Sequence, residues 1–212
     1  MDDFEAFVAI FSKLVGDSGD PPQSRHPIVS AIVNGLSKLT IKNFAQEQML
    51  EAFRRDRRLL MRERGNFVYL KVPRRRPTIV PVTLLDVDFN CDPPILRMEV
   101  VLFMDGEDGA LNSIGMRFET PEDPDGGGMH DFHHAQLVKS VAKMIPLPNC
   151  PIWLPDKQPS FPLDARDPVQ LLICAITSVY GAKEIGSLRR GCNEIWNRAQ
   201  EMRLAPGLIK KS

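Results

Sequence analysis

The sequence predicts an α+β fold: N-terminal helices, an antiparallel sheet of four or five strands, and a C-terminal helix pair. Three observations predict it. Apolar residues recur at helical spacing up to residue 64 and again after residue 167. The stretch 66–138 instead carries runs that alternate with a period of two. Between sheet and final helices, residues 146–168 hold seven prolines in 23 residues, a density no helix or central strand survives. With 212 residues and 43% hydrophobic residues the chain can bury a core as a single domain spanning 1–212. Its parts are a helical region (1–64), the sheet (66–138), a proline-rich wrap (146–166) and the C-terminal helices (167–204).

The first helix is predicted over 2–15, where Phe4, Phe7, Val8, Phe11, Leu14 and Val15 share a face and Asp2 or Asp3 can cap the start. A Gly-, Pro- and Ser-rich loop leads to Pro27 at the first position of a second helix, whose apolar face is Ile28, Val29, Ile32, Val33, Leu36 and Leu39. Thr40 is the expected cap of a third helix running to about Glu63, with Ile41, Ala45, Met49, Phe53 and Leu60 inward and Gly65-Asn66 as its stop.

Short strands are predicted over 67–72 and 78–89, where Pro81 implies an edge or a bulge. In 95–104, Leu96, Met98, Val100, Leu102 and Met104 alternate with Arg97 and Glu99. In 110–119, Ile114, Met116 and Phe118 form the matching inner face. The Asp105–Gly109 turn between them makes a hairpin. Residues 130–138 read as a strand that gives way to a short helix through Leu137, Val141, Met144 and Ile145. Asp167-Pro168 starts a helix over 169–180 that is apolar on all sides and therefore central, and Gly181 stops it. A last helix over 182–204 repeats Ile185, Leu188, Cys192, Ile195, Ala199 and Met202 at spacings of three and four.

Several function classes are excluded by what is missing. The acidic start Met1-Asp2-Asp3-Phe4 is unlike a signal peptide, and the run 169–179 is too short to span a membrane. The four cysteines lack C-x-x-C spacing, so they are expected as reduced thiols of a cytoplasmic protein. Neither G-x-x-x-x-G-K-[ST], G-x-G-x-x-G nor G-x-S-x-G occurs, which removes nucleotide-loop and serine-hydrolase readings. No cofactor, membrane or small-molecule substrate is implied.

Charge carries the strongest signal. Lys plus Arg and Asp plus Glu both total 27, yet residues 54–76 hold ten basic residues against two acids, and residues 86–131 hold twelve acids against two arginines. If the third helix reaches Glu63, Arg54, Arg58 and Arg62 fall on one stripe at i, i+4, i+8, with Arg55 beside it and Arg74, Arg75 and Arg76 closing the next strand. Guanidinium groups grip carboxylates and phosphates bidentately, and a stripe of like charge implies an anionic partner. The expected function is a non-catalytic accessory or adaptor subunit. It would dock a nucleic-acid backbone or an acidic protein surface through Arg54, Arg55, Arg58, Arg62, Arg74, Arg75 and Arg76. An internal solution competes, in which the acidic 105–125 region neutralises the stripe. The alternative function is a metal-dependent hydrolase of nuclease type, built from sheet carboxylates (Asp86, Asp88, Glu99) or from His130, His134 and Glu119 as ligands. That metal site needs His130 and His134 one helical turn apart, because in a strand they stand about 13 Å apart.

Overall fold

The computed structural model describes residues 2–15, 27–38, 42–72, 78–105, 110–121, 132–141, 145–150 and 160–181. The expected helix over 182–204, the residues Arg74, Arg75, Arg76 and His130, and most of the proline-rich wrap lie outside the described residues.

The chain opens with helix α1, Asp3–Leu14. Its start is a capping box: the Asp2 carboxylate accepts from the Glu5 amide at 2.7 Å, and the Glu5 carboxylate accepts from the Asp2 amide at 3.3 Å. The stripe foreseen from spacing is buried, with Phe7 and Phe11 inaccessible. Helix α2 spans Pro27–Lys38 and buries Ile32 and Leu36. Val33, assigned to the same face, is instead exposed.

Two-residue strand β1 (Lys42–Asn43) precedes α3 (Gln46–Asp56). The third helix is thus half the expected length, and both expected ends are corrected. At the front, β1 pairs in parallel with β3 (Asn66–Tyr69), and the Phe44 amide donates to Phe67 O, so the chain is committed to the sheet before the helix begins. At the back, Arg57 adopts φ 52 and ψ 19, its amide closes on Phe53 O, and the chain leaves the helix as strand β2, Arg58–Leu60. The physical reasons are visible locally. Extending the helix would stack Arg54, Arg58 and Arg62 at i, i+4 spacing, where like charges repel. Extended chain instead buries Leu59 and Met61 two residues apart on one face, along an available edge of the sheet.

The sheet is built on β4 (Ile79–Asp88), β5 (Ile95–Asp105), β6 (Leu111–Glu119) and β7 (His134–Val138), all antiparallel. The predicted hairpin is present, with Met98 opposite Phe118 and Met104 opposite Asn112. Two further pieces complete the outer side: β8 (Ser140–Val141) with β9 (Ile145–Pro146), and β10 (Phe161–Pro162), which pairs with β7. The β8–β9 pairing replaces the short helix expected there: Val141 stands opposite Ile145, so their four-residue spacing reflects a hairpin and not a helical face. In all, eight strands run in the order β1-β3-β4-β5-β6-β7-β10, with β2 beside β3 along β4. The surplus over the expected four or five consists of strands two or three residues long, too short to show alternation.

Pro81 sits inside β4 rather than at a bulge. Its carbonyl accepts from Leu70, so its missing amide also faces the β3 side, just past the last residue of β3, and no ladder bond to β5 is lost.

Helices α1, α3 and α4 (Pro168–Tyr180) cover one face of the sheet and enclose Leu85, Val87, Leu96, Met98, Val100 and Phe118. Helix α4 starts as predicted, with Asp167 accepting from the Gln170 amide at 2.8 Å and Pro168 in its first turn. Leu171, Leu172 and Ala175 are inaccessible, although Ser178 is exposed, so the helix is mostly rather than wholly enclosed. On the opposite face, among the described residues, α2 and Leu147 cover one end of the strands, over Phe67, Tyr69, Val82, Leu84, Val101 and Phe103. The other end of that face carries charge.

Candidate functional site

Strand parity assembles the charged end. In β4 the residues facing away from α1, α3 and α4 include Asp86 and Asp88; in β5, Arg97 and Glu99; in β6, Arg117 and Glu119; in β7, His134 and Gln136. Register then aligns them. Asp86 stands opposite Arg97, Arg97 opposite Glu119, and Glu119 opposite His134, a row crossing four strands with alternating character. Glu99, Arg117 and Gln136 make the adjacent row.

Arg62 joins from the edge. Between β2 and β3 the chain makes a turn over Arg62–Gly65, closed by Gly65 at φ 61 and by the Asn66 amide donating to Met61 O. This turn directs Arg62 under the sheet, its amide donating to Asp86 Oδ1 at 2.9 Å. Its Nη1 lies 3.7 Å from Asp86 Oδ2 and its Nη2 3.0 Å from Glu99 Oε1. Glu99 also faces Arg117 Nε at 3.4 Å. Glu119 faces Arg97 at 3.5 Å, Arg117 at 3.5 Å and His134 Nε2 at 3.4 Å. Arg62, Arg97 and Arg117 thus meet Asp86, Glu99 and Glu119 one for one, with His134 at the end.

Electrostatics follow from this enclosure. Burial lifts the Asp86 carboxyl above its ordinary 3.8, even though the Arg62 amide and guanidinium pull the other way. Burial also works against the Glu119 carboxylate, but its bond to His134 and the charges of Arg117 and Arg97 outweigh it and hold the group below its ordinary 4.5. The same bond to Glu119 raises His134 above 6.5, against burial. His134 Nδ1 lies 3.1 Å from Phe132 O. With a carbonyl at one ring nitrogen and a carboxylate at the other, both positions call for a donor, which is the imidazolium.

The Arg62 guanidinium thus lies between two of the candidate carboxylates, Asp86 and Glu99, and Glu119 is enclosed by three positive or proton-donating groups. Among the described residues no three His, Cys, Asp or Glu side chains come together as ligands. His134 and Glu119, named as candidate ligands, meet as an ion pair. His133 points elsewhere, into a cleft of about 380 Å³ with Pro93, Ile95, Pro121 and Arg166, and burial holds it below 6.5 despite the Asp167 charge.

The expected helical arginine stripe does not form, because its three members lie on different elements. Arg54 stays exposed on α3, Nη2 3.4 Å from Ser12 Oγ. Arg58, on β2, pairs with Asp88 at 3.1 Å. Arg62 is internal. Arg55 lies on the α3 surface, bonded to Asp56 at 2.7 and 2.9 Å. Arg57 lies 4.4 Å over the Phe4 ring and reaches Asp2 at 3.3 Å. Among the described residues, Asp2, Asp56, Asp86, Asp88 and Glu99 pair with arginines of this segment, whereas Glu119 serves Arg97 and Arg117. Those two arginines were overlooked as site residues. Their position two residues from Glu99 and Glu119 on neighbouring strands was the available signal.

No protein-family model, curated protein or solved structure matches this chain. Among the described residues no helix is long and apolar enough to cross a membrane.

Proposed function

We propose that this chain is a non-catalytic accessory or adaptor subunit of the cytoplasm that docks an anionic partner at the end where α3 passes into β2. The observation that carries the reading is the exposure of Arg54, Arg55, Arg57 and Arg58 within five residues, with Arg64 exposed in the following turn. The acids beside them form surface pairs. Such pairs contribute only about 0–1 kcal/mol, so a partner's carboxylates or phosphates can replace them with little loss. The buried acids support the same conclusion from the other side. Asp86, Glu99 and Glu119 are each paired with arginine, which weighs against the hydrolase alternative.

The test is a titration of the protein with polyglutamate and with duplex DNA at low and high salt. Binding of at least one probe, weakened by salt and lost in Arg54→Glu/Arg58→Glu, is the expected result. An unchanged melting curve for that variant assigns the loss to the surface. Failure of the wild type to bind either probe at low salt refutes the reading.

A further inference from the structure

The class of partner can be narrowed from the backbone of β2. Among the described residues this strand has one sheet neighbour, β4. The Phe89 amide donates to Arg57 O and the Met61 amide donates to Leu85 O, and Leu59 stands opposite Val87 between them. In an antiparallel ladder, residues that exchange hydrogen bonds alternate with residues that do not. Residues 57, 59 and 61 therefore aim their backbone groups at β4, and Arg58 and Leu60 aim theirs away from the sheet. Among the described residues nothing bonds to those outward groups. They are an unpaired strand edge, which elsewhere serves as a template for another chain.

Charge surrounds this edge on both sides. Arg54, Arg55 and Arg57 belong to α3 and its cap, on the face that α1 and α4 also cover. Arg58 projects from the opposite face, opposite Asp88. A second copy of this chain would bring the same arginines against them and be repelled. A strand with carboxylates on both of its faces would meet guanidinium groups on both.

We infer that the partner is an acidic segment of another protein, bound in extended form as an added strand on the outer edge of β2. The inference rests on reading this cationic end as a docking surface, and it selects protein over nucleic acid for two reasons. Outward amide and carbonyl groups at strand spacing match a peptide backbone and not a phosphate chain. The aromatic residues beside the arginines, Phe4 and Phe53, are buried in the core, so they have no open face to offer a base. Carboxylates of Asp56, Asp88 and Glu63 interleave with the arginines, which suits spaced acidic side chains better than a continuous polyanion.

Three probes decide it: a short peptide of Glu and Val, the same peptide N-methylated at alternate amides, and a short DNA duplex. The methylated peptide keeps every charge but cannot complete the edge ladder. It is expected to bind wild type roughly tenfold or more weakly than its parent, as the loss of one or two backbone hydrogen bonds implies. Leu60→Pro should weaken the parent peptide to a similar extent, because it removes an outward amide at an edge position where proline is tolerated. If that variant fails to fold, the comparison of the two peptides on wild type decides alone. Equal binding of the two peptides overturns strand addition. Binding of the duplex without the peptide overturns this inference and leaves the docking reading standing. Binding of neither probe overturns both.

Discussion

Arg62 Nη2 lies 3.0 Å from the carboxylate of Glu99, and Glu99 is 0% exposed. The turn at 62–65 carries this guanidinium beneath the sheet. Removing one member of such a pair leaves the other charged and enclosed. Arg62→Met is therefore expected to destabilise the fold by roughly 3–5 kcal/mol. Arg54→Glu, on the exposed helix, should change stability by about 0.5 kcal/mol or less. Urea denaturation of both variants measures the contrast, and equal small losses would show that Arg62 is not needed inside.

The pair of His134 and Glu119 should make stability fall as pH rises beyond the ordinary histidine value of 6.5. His134 has its folded pKa raised above 6.5. Its contribution is fully present below that value and is lost as pH rises through the folded pKa. Glu119 is lowered from 4.5, so its contribution is present above 4.5 and lost as pH falls through the depressed value. His133, held below 6.5 by burial, adds the opposite slope from 6.5 down through its own folded pKa. Comparing His134→Gln and His133→Gln with wild type across pH 5 to 9 separates these slopes. His134→Gln should remove the loss of stability on the alkaline side of about 6.5.

Gly115 on β6 stands opposite Val138 of β7 and beside Leu147. A methyl group built there would stand 2.6 Å from Val138 Cγ2, 2.7 Å from Leu147 Cδ1 and 3.1 Å from the Val138 carbonyl oxygen. Gly115→Ala should then cost about 1–3 kcal/mol through overpacking, despite the gain in strand propensity. An unchanged denaturation midpoint would mean that the 147 segment moves aside freely.

Leu172 is fully enclosed on α4, in the core that this helix shares with α1 and the sheet. Leu172→Ala is expected to destabilise by roughly 2–5 kcal/mol, depending on how far the neighbours collapse into the space. Ser178→Ala, on the exposed side of the same helix, should be nearly neutral in the same denaturation measurement.

What the sequence determined alone is the set of elements whose signal is local and repeated. Helix α1 has a complete apolar stripe and its own capping box, α4 has Asp167-Pro168 before it and Gly181 after it, and the β5–β6 hairpin has matched alternation on either side of a Gly-Asp turn. Each of these is encoded within 25 consecutive residues or fewer, and together they were enough for the α+β class. Tertiary structure decided the rest. The run 57–62 carries arginine at helical spacing and leucine and methionine at strand spacing, so local preference was divided, and the open edge of β4 with the burial of Leu59 and Met61 settled it. Glu99 and Glu119 read as acids open to a metal, and Arg97 and Arg117 carried no local sign of a role, because sequence shows which residues share a face but not what covers it. Their role as the partners of Arg62 and His134 depends on registers between strands as far apart as residues 62 and 134. Those registers are set by the packing of the whole sheet, which no window of sequence contains.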